Sequence, residues 1–175
     1  MSAATEAGVQ PSLAPLADAL GAACREPSPD ELAVLAVQDI RPRLVCVPQS
    51  VAEVSAALRV AGAAGLAIIP AGGLTQLGLG APPRRSDVLL DLRALAAVVE
   101  YAPEDLTATV QAGMRLVDLR RLLAERGQFL PLNPPLPDDA TVGGILATNA
   151  HGSWRARYGA LRDLLIGSRV VHGDG

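Results

Sequence analysis

The segment Pro70-Ala71-Gly72-Gly73-Leu74-Thr75-Gln76-Leu77-Gly78-Leu79-Gly80 is the densest chemical signal in the sequence. Adjacent glycines let consecutive backbone N–H groups point into one concavity, a nest that binds anions. Without a Cβ, the backbone can also approach a phosphate closely. Thr75 adds a hydroxyl donor. No Gly-Lys-Ser/Thr follows, so this is not a Walker A loop. Nor do Gly72, Gly73, Gly78 and Gly80 give the G-x-G-x-x-G spacing of a dinucleotide fingerprint. On glycine content alone, a plain surface loop is an equal alternative.

A second cluster changes that balance. Thr141-Val142-Gly143-Gly144-Ile145-Leu146-Ala147-Thr148-Asn149-Ala150-His151-Gly152 puts bare backbone at the start of a helix. The first turn of a helix has unpaired N–H groups and the positive end of the dipole, which suits an anion or a carbonyl-rich ring. Close helix packing also favours Gly and Ala and is the competing explanation. Two such clusters in one domain fit a long ligand with a diphosphate at one end and a flat polar ring at the other. His151 ends the second cluster, and His172 beside a turn reads as a surface residue. Neither is assigned a catalytic role.

The elements that must position these clusters follow from periodicity. Leu44–Val47 reads as a buried strand closed by Pro48. Ser50 and Glu53 have the form of a capping box. Val51, Val54, Leu58 and Ala61 then mark one apolar helical face, ended by Gly65 in the left-handed conformation. Leu66–Ile69 is a second strand, which makes a βαβ unit with parallel strands. Strands are expected at Val88–Asp91, Val98–Tyr101 and Thr107–Ala112. Leu116, Leu119, Leu122 and Leu123 mark a helix with a weak cap at Arg115 and Gly127 past its end. The four prolines between Phe129 and Asp139 forbid helix or central strand there. Ile166–His172 reads as a strand, and Gly173-Asp174-Gly175 as a hairpin turn. Residues 1–40 are rich in Ala and Pro, with one short helix around Leu13–Cys24, and read as a peripheral extension.

With 175 residues there is room for one domain or two small lobes. Tyr101, Phe129, Trp154 and Tyr158 are the only aromatic residues, and the formal net charge is -3. Few rings to stack on bases and no positive excess argue against nucleic-acid binding. Cys24 and Cys46 match no metal or redox spacing and read as unpaired, buried thiols in a reducing compartment. The opening MSAATEAGVQPS lacks the form of a signal peptide, and no apolar run is long enough for a bilayer. A cytoplasmic location is the expectation.

The order of motifs resembles a known family. The Pro-x-Gly-Gly-x-Thr loop is followed by Asp91-Leu92, Glu104-Asp105-Leu106-Thr107, Gly113, the Pro-rich run, Thr141-Val142-Gly143-Gly144 and Tyr158-Gly159-x-x-Arg162-Asp163. From about Leu44 onward the chain looks like the FAD-binding domain of the vanillyl-alcohol-oxidase (para-cresol methylhydroxylase, PCMH) superfamily. It is most similar there to the FAD-binding subunit of bacterial glycolate oxidase and its D-lactate dehydrogenase relatives. The resemblance implies an α+β fold of two lobes clasping FAD. Ala71, Gly72, Gly73, Leu74, Thr75 and Gln76 would cradle the diphosphate. Pro137, Thr141, Gly143, Gly144, Ala147 and Asn149 would line the middle of the cofactor and the flavin edge. Gly152, Arg162, Asp163 and Ile166 would lie along the same cleft. Arg162 and Asp163 as an exposed ion pair, and Asn149 as a helix cap, are the plain alternatives.

Some relatives attach FAD through a His after the paired glycines. Here Leu74 holds that position, and neither Cys24 nor Cys46 lies in a cysteinyl-link motif, so FAD is expected to be noncovalent. The resemblance implies the division 1–40 N-terminal extension, 41–112 first lobe, and 113–175 remainder of the first lobe and start of a second. The first lobe is then complete and the second incomplete, as in a fragment, a truncated product or half of a split subunit. The implied function is the FAD-binding portion of a flavin-dependent oxidoreductase acting on a 2-hydroxy acid, inactive by itself. A non-catalytic fragment or interaction module without stable FAD is the alternative. Other subunits of an oxidase complex are the partners that the resemblance allows.

Overall fold

The computed structural model describes residues 10–175, so most of the opening segment read for a signal peptide lies outside the described residues. A sheet of β1 (Cys24–Arg25), β2 (Leu44–Cys46), β3 (Ile68–Ala71) and β4 (Val88–Asp91) has the order β1-β2-β4-β3. β4 runs parallel to both β2 and β3. Every residue of β2 and β4 is buried, as a strand covered on both faces requires. The expected βαβ unit is present, with α3 (Val51–Ala63) as its crossover, but β4 is inserted between its two strands.

Ser50 caps α3 by accepting from the N–H of Glu53 at 3.2 Å. The reciprocal half of the expected capping box is shifted by one residue, because the Glu53 carboxylate accepts from Gln49 N–H at 2.8 Å. Gly65 has φ 64°, as expected. The strand expected at Leu66 starts two residues later. Leu66 N–H is still closing the helix end on the Ala61 carbonyl (2.8 Å), and Ala67 N–H donates to the buried Asp87 carboxylate (2.7 Å).

The segment read as an extension packs onto this sheet. α1 (Ala14–Leu20) buries Leu16 fully in the core with Cys46, Ala57, Val88 and Leu90. A short 3-10 turn leads into β1, which pairs antiparallel with β2. That register puts Cys24 directly opposite Cys46, and they form a disulfide (S–S 1.94 Å). The expectation of two unpaired thiols is therefore corrected. A gap of 22 residues carries no pairing signal, whereas the strand register brings the Cα atoms to 4.1 Å. α2 (Pro29–Leu35) was not foreseen either. Pro29 occupies its first turn, where a missing N–H costs nothing, and Ser28 with Glu31 forms a full capping box.

β5 (Val98–Ala102) and β6 (Thr107–Val110) form a separate antiparallel hairpin. Behind it, α4 (Leu116–Ala124) buries Leu116, Leu119 and Leu123. Arg115 gives no side-chain cap to α4, and Gly127 takes φ 66°. Residues 129–139 form neither helix nor strand. They lead to α5 (Val142–Thr148), α6 (Arg155–Tyr158) and α7 (Leu161–Leu164). The strand expected at Ile166–His172 does not form. Among the described residues no strand lies beside it to complete a ladder, and Ile166 is 83% exposed. The turn after it is present, with Gly175 N–H donating to the His172 carbonyl at 2.9 Å.

Candidate functional site

The glycine loop leaves the sheet at the end of β3, where buried Ala71 pairs with Asp91. Among the described residues, none of the backbone N–H groups from Gly72 to Gln76 donates to a protein acceptor. These residues are half-buried. Leu74 has φ 61°, a left-handed conformation unusual for a branched side chain. Leu74 and Leu77 pack against the cluster of Leu35, Val45, Ala71 and Leu89. Leu74 and Leu77 thus anchor the loop while its amides find no acceptor among the described residues.

The two sequence-distant clusters meet. A Cβ on Gly72 would stand 2.2 Å from Thr141 Oγ1, and one on Gly73 would stand 1.7 Å from the Asp139 carbonyl oxygen. Both glycines are therefore required by contact with residues 139–141. Gly78 differs, because a Cβ there would have no atom within 4 Å.

The start of α5 departs from the expectation of unpaired donors. Val142 N–H donates to Met114 O and Gly143 N–H to Ala112 O, each at 2.8 Å. Gly144 N–H donates to the buried Thr141 hydroxyl at 3.3 Å. The physical reason is close packing: a Cβ on Gly143 would lie 2.7 Å from that of Ala112. What this helix start offers a ligand is bare Cα surface next to the glycine loop.

Pro137 is half-buried, while Ala147, Asn149 and Gly152 are exposed. Asn149 ends α5 at φ 51°, so it does cap its helix. Gly152 has φ 77° and sits against the Asn133 carbonyl. Arg162 and Asp163 form an exposed pair at 3.6 Å, and Asp163 also accepts from Ala160 N–H at 2.9 Å at the start of α7. Asn149 and Arg162 share a surface cavity of about 390 Å³ with Arg155 and Leu161. The structure thus joins Ala71–Gln76 to Thr141 and, separately, Asn149 to Arg162. His151 is buried with Nε2 2.9 Å from the Pro131 carbonyl, and its Nδ1 has no partner. Sequence reasoning missed Leu35 and Gln38, which contact the glycine loop from the N-terminal segment. No motif in that Ala- and Pro-rich stretch marks them.

Among the described residues, no helix is long and apolar enough to cross a membrane. Comparison with known proteins identifies the family. The family model described as "FAD binding domain" matches residues 42–175. The chain is 37% identical over 134 residues to D-2-hydroxyglutarate dehydrogenase of Xanthomonas citri pv. viticola, covering 77% of this chain and 28% of the relative. It is 32% identical over 134 residues to glycolate oxidase subunit GlcD of Bacillus subtilis, with 77% and 28% covered. Among solved structures it resembles an alkyldihydroxyacetonephosphate synthase with a TM-score of 0.69 and 30% identity, over 77% of this chain and 28% of that one. The chain therefore spans 28% of the length of each of these proteins. An α+β domain with a free-amide glycine loop, matched from residue 42 to residue 175, belongs to the FAD binding domain family.

Proposed function

We propose that this chain is the FAD-binding portion of a flavin-dependent oxidoreductase acting on a 2-hydroxy acid of the glycolate or D-lactate type. The observation that carries the reading is the run of backbone N–H groups from Gly72 to Gln76 that find no acceptor among the described residues. Such a run at the end of a parallel strand fits a diphosphate. The substrate class is supported by the names of the relatives, each of which contains a 2-hydroxy acid.

In this reading Ala71, Gly72, Gly73, Leu74, Thr75 and Gln76 cradle the diphosphate. Pro137, Thr141, Gly143, Gly144, Ala147 and Asn149 follow the middle of the cofactor toward its ring, and Gly152, Arg162, Asp163 and Ile166 extend that path. Residues 41–112 make most of the first lobe, residues 113–175 finish it and begin a second, and the N-terminal segment read as the extension 1–40 adds α1 and β1 to the first lobe. Bound FAD supplies a hydride acceptor for the carbon that bears the substrate hydroxyl. The chain's own task is to hold and orient, and none of these residues is assigned as a base. The cytoplasmic setting expected from the sequence rested on the form of the opening segment, on the lack of a long apolar run and on unpaired cysteines, and the Cys24–Cys46 bond removes the last of these supports.

Partner subunits belong to the same proposal. They are supported by the exposed trio Phe129, Trp154 and Tyr158, whose rings stack edge to face with centroids 5.7–6.3 Å apart. Exposed aromatic clusters of this kind are enriched at protein interfaces.

Fluorescence titration of FAD into the purified protein tests the cofactor reading. Saturable quenching that ADP reverses supports it, because ADP shares the diphosphate. Flavin fluorescence that stays unquenched overturns it. Turnover of glycolate or D-lactate with an artificial electron acceptor tests the substrate class.

A further inference from the structure

We infer that Gln38, which precedes the residues matched to the family, is a positioning residue for the diphosphate loop. The inference rests on the reading of that loop given under the proposed function. Gln38 Nε2 donates to the carbonyl oxygens of Gly78 and Gly80, each at 3.3 Å. One side-chain amide thus holds the trailing half of the glycine loop at two points. From the same segment, Leu35 packs against Leu74 and Leu77 in the leading half.

The backbone around Gln38 is arranged for this reach. Val37 and Ile40 exchange two hydrogen bonds of 3.0 Å, and the residues between them, Gln38 and Asp39, take φ 48° and 70°. Two successive positive φ values define a type I′ turn, which normally carries Asn or Gly. Retaining Gln and Asp there costs backbone energy, and strained positions of this kind cluster where a side chain must be aimed. The aimed side chain is Gln38, and its target is the loop. A disulfide from β1 to β2 and the burial of Leu16 fix the N-terminal segment from which Gln38 projects.

The loop needs an external brace because its own amides are uncommitted. Among the described residues no N–H from Gly72 to Gln76 finds an acceptor, and Gly78 and Gly80 add no packing side chain. A loop that keeps its donors free for a ligand must be held through its carbonyls and apolar side chains. Gln38 supplies the first hold and Leu35 the second.

The test uses Gln38→Gly, which suits a residue at positive φ and removes the whole side chain with its amide, and Gln38→Lys, which restores a side-chain donor of similar reach. Backbone ¹⁵N relaxation is measured for residues 72–80 in the ligand-free protein, together with thermal melting. Rigid backbone gives an order parameter of about 0.85, and values in the loop of Gln38→Gly should fall toward about 0.6 while those of the sheet stay unchanged. Affinity for FAD and for ADP should drop about three- to tenfold, as expected for losing hydrogen bonds of ordinary net strength. Gln38→Lys should recover both. Order parameters in Gln38→Gly equal to wild type overturn the inference, as does a loss spread evenly through the sheet. If wild type binds neither FAD nor ADP but the loop still loosens in Gln38→Gly, the brace stands and the proposed function falls. If wild type and Gln38→Gly bind FAD equally with equal loop order, the proposed function stands and the brace falls.

Discussion

The carbonyl oxygen of Asp139 occupies the space beside Gly73 so closely that a Cβ there would be only 1.7 Å away. Gly73 is therefore a packing requirement between the glycine loop and the segment before α5, whatever else the loop binds. Gly73→Ala should destabilise the fold by about 1–3 kcal/mol, the usual cost of overpacking against atoms that cannot move. Gly78→Ala has open space around it and should change stability by less than about 0.5 kcal/mol, as at ordinary surface sites. Urea unfolding of both variants checks the contrast. Equal stabilities would show that residues 139–141 do not abut the loop.

FAD bound to this protein should be released by acid. Leu74, at the position where a histidyl link would form, has no nucleophilic atom, and its side chain packs with Leu35 and Leu89. After precipitation, flavin fluorescence should appear in the supernatant. Yellow colour retained by the pellet would refute noncovalent binding.

Cys24 and Cys46 should resist alkylation until the protein is reduced. Intact mass after iodoacetamide should be unchanged in native protein and should rise by two carbamidomethyl groups after reduction and unfolding. The bond links residues 22 positions apart. Replacing both cysteines by Ser should therefore cost about 2–4 kcal/mol, within the range for native disulfides closing loops of this size. Labelling of the untreated protein would show that the thiols are free.

The carboxylate of Glu31 is held at a pKa of about 2, below its ordinary 4.5, first by hydrogen bonding to the Arg25 guanidinium and then by Ser28 N–H. Its folded pKa is depressed, so its contribution to stability is present above the ordinary value. That contribution fades as pH falls from 4.5 through about 2. Both partners are largely exposed, so the effect on stability is small. An NMR titration should give Glu31 a midpoint near 2, and Arg25→Gln should move it back toward the ordinary range. A wild-type midpoint already at the ordinary value would show that the pair does not form in solution.

Local signals made much of the fold readable. The all-apolar Leu44–Cys46 and Val88–Leu90 runs announced buried strands, and Ser50 announced α3. The insertion of β4 between β2 and β3 was hidden, because strand order depends on which edges meet and not on any one segment. The same holds for Cys24 and Cys46, whose pairing follows from an antiparallel register. At the site, adjacent glycines suggested the open amides of the glycine loop, while glycine content alone left a plain surface loop equally open. The occupied amides of α5 were not, since their acceptors, Ala112 and Met114, lie on a different stretch of chain. Ile166–His172 shows the reverse case: a segment with Ile166, Val170 and Val171 reads as a strand, but a strand exists only when it has a partner.

The place of β4 has a consequence for how the glycine loop meets a ligand. β3 delivers the chain into the loop and β4 receives it back as β3's hydrogen-bonded parallel neighbour, with Ala71 beside Asp91 at one end and Ile68 beside Val88 at the other. Both ends of residues 72–87 are thus pinned to adjacent strands before anything binds. The entropy of closing the loop is spent in folding and is not charged again to the ligand. The sheet, through the order of its strands, fixes both ends of the glycine loop in the ligand-free chain.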